Sequence, residues 1–82
     1  MVYYTNQQLF SPEDGFAITP SDSTVIAATR GIWVGGAGNL AVTMGSGAVL
    51  TFAGVAAGTL LPIQVQKVMA TNTTATLILG LI

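Results

Sequence analysis

The sequence predicts an all-β domain, a small antiparallel β-sandwich or β-barrel with an extended N-terminal arm. Three observations lead there. Apolar runs alternate with period two, as in Leu40-Ala41-Val42-Thr43-Met44, where large and small side chains take turns. Gly and Thr/Asn turn signals cut the chain at roughly ten-residue spacing, the rhythm of short strands. No stretch has helical periodicity; Val55-Ala56-Ala57 is short and bounded by Gly54 and Gly58.

The elements follow in chain order. Residues 1–15 form the arm: Tyr3, Tyr4, Leu9 and Phe10 with the amides Asn6, Gln7 and Gln8, closed by Ser11-Pro12-Glu13-Asp14-Gly15. That ending is a turn with a mechanism, since Pro sets φ, Asp bonds nearby backbone donors and Gly accepts positive φ. Residues 16–82 form the β domain. Thr19 to Thr24 is a loop and Thr24 to Ala28 the start of a strand; Gly31-Ile32-Trp33-Val34 is a strand ended by the Gly-rich loop Gly35-Gly36-Ala37-Gly38. Leu40–Met44 and Ala48–Phe52, joined by Gly45-Ser46-Gly47, make a hairpin. Leu60 to Val68 is a strand with Pro62 near its start, where a missing donor is tolerated. Thr71-Asn72-Thr73-Thr74 turns the chain into its last strand, Ala75 to Ile82. The expected core is Ile32, Val34, Leu40, Val42, Leu50, Phe52, Ile63 and Val65.

That last strand does not alternate in polarity. Leu77, Leu79 and Leu81 point one way and Ile78 and Ile82 the other, so both faces call for burial. A domain of this size has one core, and the other face is expected to meet a second copy. The expected oligomer interface is Trp33, Leu77, Ile78, Leu79, Leu81 and Ile82, most simply in a homotrimer. Chain entropy and apolar burial nearly cancel for 82 residues, and no disulfide can staple the fold, which also favours association.

Composition excludes more than it proposes. The charged residues are Glu13, Asp14, Asp22, Arg30 and Lys67, with no His and no Cys. Thiol nucleophiles, imidazole acid–base chemistry and Cys/His zinc sites are therefore absent from the inventory. The expectation is no catalytic residue, no cofactor and no metal. A net charge of −1 with two cations leaves no basic footprint for nucleic acid. The stretch Leu40 to Ile63 is broken by four glycines and Pro62, too interrupted for a membrane helix. The N-terminus shows no basic or apolar signal region, so a soluble protein without a signal peptide is expected.

The remaining motifs favour structural readings. Gly36-Ala37-Gly38-Asn39-Leu40-Ala41 has the letters of a dinucleotide loop but precedes a strand, and no acidic residue follows Asp22, so it reads as a Gly-rich hairpin loop. Asn72-Thr73-Thr74 is a glycosylation sequon by letter and a turn by context. Ser21, Asp22, Ser23 and Thr24 read as an Asx-type turn, with Arg30 as a candidate ion-pair partner for Asp22. Trp33, with Tyr3 and Tyr4, leaves open a small carbohydrate-binding module, although an interface anchor suits so apolar a chain better.

Taken together, Thr19-Pro20-Ser21-Asp22, Thr29-Arg30-Gly31-Ile32-Trp33-Val34-Gly35-Gly36-Ala37-Gly38, Val49-Leu50-Thr51-Phe52-Ala53-Gly54, Leu60-Leu61-Pro62-Ile63-Gln64-Val65-Gln66-Lys67-Val68 and Thr71-Asn72-Thr73-Thr74 carry a family resemblance. The run Ile18 to Ile82 resembles the small β proteins of tailed phages and gene transfer agents, of the head spike-base or capsid decoration type. The first seventeen residues fall outside it. Gln64 and Gln66 stand where family members often carry basic residues, which puts a charged contact on that strand in doubt. The resemblance implies a non-enzymatic virion protein, made in the host cytoplasm and bound as a homo-oligomer to the major capsid protein on the capsid exterior. It does not separate threefold cement from fivefold spike base, and a tail or fibre adaptor stays as an alternative. On this reading Tyr3, Tyr4, Leu9 and Phe10 of the arm are the capsid-docking residues, because aromatics bury much area at low entropic cost.

Overall fold

The computed structural model describes residues 12–82. Among them run seven strands: β1 (Gly15–Ile18), β2 (Gly31–Gly36), β3 (Gly38–Met44), β4 (Val49–Val55), β5 (Thr59–Leu61), β6 (Val65–Val68) and β7 (Thr76–Leu81). They form two antiparallel sheets, one in the order β1-β7-β2-β5 and the other β4-β3-β6. The architecture is a small sandwich. Ile18, Ile32, Val34 and Ile78 of the first sheet meet Leu40, Val42, Val55, Val65 and Val68 of the second in one core. Period-two alternation explains this directly: on β2, Ile32 and Val34 are buried while Trp33 between them is exposed.

Several local details differ from the sequence expectation. Gly36-Ala37-Gly38 closes no hairpin; it carries the chain from β2 in one sheet to β3 in the other. The expected strand Leu60 to Val68 is two strands. β5 pairs with β2, the chain breaks at Pro62-Ile63-Gln64, and β6 pairs with β3 in the opposite sheet. Thr24 to Ala28 is not a strand, yet its neighbourhood lines the outer edge of β6: the Ser21 N–H donates to the Val68 carbonyl and the Ile26 N–H to the Gln66 carbonyl. β1 was not expected as a strand. The Glu13 and Asp14 N–H groups both donate to the Ile82 carbonyl, so the first described residues lie against the chain's end.

Of the expected core, Ile32, Val34, Leu40, Val42 and Val65 are fully buried, and Phe52 and Ile63 pack against them partly exposed. Leu50 does not belong there; it is 46% exposed. It sits opposite Val42 in register, but β4 is an edge strand and the facing sheet does not cover it. Ile78, expected at an interface, is a core residue. The Thr71–Thr74 turn is confirmed by Asn72, whose φ is 70°. Thr73 closes it onto β3, its Oγ1 accepting the Ala41 N–H at 3.0 Å.

Candidate interaction surface

The outer face of the β1-β7-β2-β5 sheet is built by strand register. Ala17 lies opposite Leu79, Leu79 opposite Trp33, and Trp33 opposite Leu60. One row of four apolar side chains thus crosses the whole sheet, about 14 Å at ordinary strand spacing. Trp33, Leu60 and Leu79 are each 39% exposed, and Leu77, one step along β7, is 77% exposed. No charged residue occurs in any of the four strands. A concavity of about 500 Å³ opens here, lined by Ala17, Trp33, Gly35, Leu77 and Leu79 on the face and Ile18 and Ile78 beneath.

Leu77 shapes this surface through its backbone. Its φ is 53°, in the left-handed region that costs an L-residue roughly 1–2 kcal/mol. Gly35 makes room for it, since a Cβ at Gly35 would stand 2.9 Å from the Leu77 Cβ. The strained conformation presents a leucine to solvent, the reverse of what burial would select.

The sequence-predicted interface residues therefore divide. Trp33, Leu77 and Leu79 share the outer face; Leu81 and Ile82 are half-buried; Ile78 points into the core and is 3% exposed. Leu60 and Ala17 belong to the row and were not anticipated. Their membership depends on which strands become neighbours, a non-local fact; the Leu60-Leu61 pair signalled only that one leucine faces out. Tyr3, Tyr4, Leu9 and Phe10 lie outside the described residues.

Electrostatics contribute little to the face. Asp22, on the loop before β2, accepts the Thr71 N–H at 2.9 Å and the Thr71 hydroxyl at 2.6 Å. These bonds, the hydroxyl's first, hold its carboxyl below the ordinary value of 3.8, with Lys67 as a weaker charged neighbour. The role is structural, tying the loop to the last turn. Among the described residues no group of three or more His, Cys, Asp or Glu side chains could hold a metal ion. No helix among them is long and apolar enough to cross a membrane. The row around Trp33 has no polar side chain to hydrogen-bond sugar hydroxyls. What this surface can do is pack against another apolar surface.

Comparison with solved structures supports a structural role. A chain of the capsid of a native GTA particle, computed with C5 symmetry, is 35% identical to this one and superposes with a TM-score of 0.81. The match covers 100% of both chains, so it includes the first seventeen residues that the sequence resemblance left out. No protein-family model matches, and no curated protein matches.

Proposed function

The chain belongs to the family of small β-rich virion proteins of tailed phages and gene transfer agents, and from that membership we propose that it decorates, cements or caps the outer surface of a capsid. The single observation that carries this is the full-length match to a chain of a GTA capsid. A fragmentary or fold-only likeness would leave the partner open; similarity across the whole extent of both chains supports the same task. The inventory without His or Cys suits a non-enzymatic module that needs no cofactor or metal.

In this reading the module is a homo-oligomer held by the outer sheet face, with Trp33, Leu77 and Leu79 toward a neighbouring copy. Trp33 is the anchor, since large aromatics at the centre of an apolar patch dominate association energies. The face's exposed apolar side chains, Trp33, Leu60, Leu77 and Leu79, are contiguous, the kind of patch that marks interaction sites. It would be the centre of an interface whose usual size is about 800 Å² per partner. A trimer is the proposed copy number; the C5 symmetry with which the related capsid was computed sets no number for one module. The arm residues Tyr3, Tyr4, Leu9 and Phe10 are proposed to reach the major capsid protein by adding an extended segment to an exposed strand edge.

The test is a binding experiment. Purified full-length chain is added to capsids assembled without it and co-sedimented, beside a variant lacking residues 1–10. The full chain should pellet with capsids to a saturating stoichiometry, and the truncated chain should stay folded and in the supernatant. Failure of the full chain to bind at any concentration would remove the proposal. Equal binding of the truncated chain would remove the role of the arm alone.

A further inference from the structure

A second association surface lies on the opposite sheet. β4 is bonded to β3 on one side, and among the described residues none bonds its outer edge. The outer edge of β6, at the other end of that sheet, is covered by the 21–26 segment. Open edges normally carry a Lys, a Pro or an inward charge against unwanted pairing. β4 has none of these: no charged residue occurs between Arg30 and Lys67, and no proline between Pro20 and Pro62. Val49 is 64% exposed and Leu50 46% exposed on this edge.

The pattern of backbone groups is specific. The Met44 N–H donates to the Ala48 carbonyl, and the Met69 N–H to the Ala41 carbonyl on the far side of β3. Antiparallel alternation then turns the N–H and C=O groups of Leu50 and Phe52 toward β3, and leaves those of Val49, Thr51 and Ala53 facing out. The regular part of β4 is bounded on both sides. The Gly45-Ser46-Gly47 turn precedes it, and a register shift opposite Gly38 to Leu40, with Gly54 at φ 66°, follows it. The straight segment is Val49–Ala53, and its centre is Thr51.

We propose that two copies of this chain pair antiparallel through β4, about a twofold axis at Thr51, joining their three-stranded sheets into one of six. With the axis there, Thr51 faces Thr51 of the second copy and Val49 faces Ala53. Those are the residues whose backbone groups are free, so every one of them gains a partner. Leu50 then lies opposite Phe52 of the second copy in a non-hydrogen-bonded pair, where side chains approach closest and aromatic–aliphatic contacts are favourable. This covers the leucine that the fold leaves exposed. A register shift of one residue would set bonded groups against free ones, and within Val49–Ala53 an axis on Leu50 or Phe52 would pair only two of the three free residues, so Thr51 is the position that pairs them all. The pairing uses none of the residues on the outer sheet face and holds whether or not that face associates.

The experiment reads mass in solution, by light scattering on the full chain, for the unmodified protein, Thr51→Lys, Thr51→Glu and a 1:1 mixture of the two variants. The exposed edge position leaves folding intact, checked by far-UV circular dichroism, and Val49→Lys serves as a second variant. Each single variant places like charges across the axis and should halve the mass; the mixture should restore it by pairing Lys with Glu. Unchanged mass in all samples, or folded variants whose mixture does not recover, overturns the proposal. So does a variant of unchanged mass that no longer binds capsids, because it assigns the edge to the capsid protein. Leu79→Asp, measured in parallel, reports on the sheet face alone and keeps the two readings separate.

Discussion

Replacing Thr29 by Val is the sharpest test of how the sandwich is held closed. Thr29 is 3% exposed, in the irregular segment before β2. Its hydroxyl donates to the Ile63 carbonyl at 3.0 Å and accepts the Val65 N–H at 3.1 Å. One side chain thus satisfies both backbone groups at the point where Pro62 forces the chain out of β5 and into β6. Val has nearly the same shape and no hydroxyl, so the substitution orphans a buried donor and a part-buried acceptor without opening a cavity. Each orphaned group costs about 1–3 kcal/mol, and about 2–4 kcal/mol in all is expected. That is a large fraction of the roughly 4–12 kcal/mol expected for a domain of this length. Urea denaturation followed by far-UV circular dichroism, at one fixed protein concentration, should show the midpoint falling by about 2 M or more, given a slope near 1 kcal/mol/M. Thr29→Ser keeps the hydroxyl and loses one methyl, so it should cost only about 1 kcal/mol. The reasoning is refuted if Thr29→Val proves as stable as Thr29→Ser.

Other outcomes follow from single residues. Gly80→Ala should lower the melting temperature by roughly 5–15 °C, because a Cβ there would stand 2.7 Å from the Phe16 ring and 3.1 Å from the Ile18 side chain; an unchanged melting curve would show that Phe16 moves aside freely. Leu77→Asn should hold or raise the monomer's melting temperature while weakening self-association, since Asn accepts the left-handed backbone that strains Leu77; a clear loss of monomer stability would contradict that. Leu79→Asp should dissociate the assembly held by the outer sheet face, seen as a drop in mass by light scattering, and a variant of undiminished mass would exclude the face. Asp22 stabilises through its ionised form, its folded pKa lying below the ordinary 3.8. Its contribution is therefore present above that value and lost as pH falls through the lower folded one. The stability gap between the native chain and Asp22→Asn should be wide near neutral pH and close in strong acid; a pH-independent gap would assign the effect elsewhere.

Local chemistry made much of the fold legible. The β3–β4 hairpin follows from period-two alternation on both sides of Gly45-Ser46-Gly47, and the buried pair Ile32 and Val34 from the alternation around Trp33. Pairing across the sheets was less visible. Leu60 to Val68 looks like one strand because its apolar pattern is continuous; only the fold reveals that Pro62 separates pieces bonded to different sheets. Leu50 has the pattern of a core residue but is exposed because β4 is an edge, a fact set by topology. Gly36-Ala37-Gly38 has the composition of a hairpin loop, and the same glycines equally permit a crossing between sheets. The candidate face shows the same division. Trp33, Leu77 and Leu79 were legible from parity, while Leu60 joins them only through the register of β5 on β2. Ile78 was grouped with them because a strand apolar on both faces does not say which face is the core.

The central claim, that this chain is a module of the capsid surface, is tested most directly by a reconstruction of particles from the producing host, with and without the gene for this chain. The prediction is density for a two-sheet sandwich on the outside of the shell, repeated at equivalent positions and absent from the deletion particles. Particles whose outer surface is identical in both preparations, or density for the sandwich confined to the tail, would contradict it.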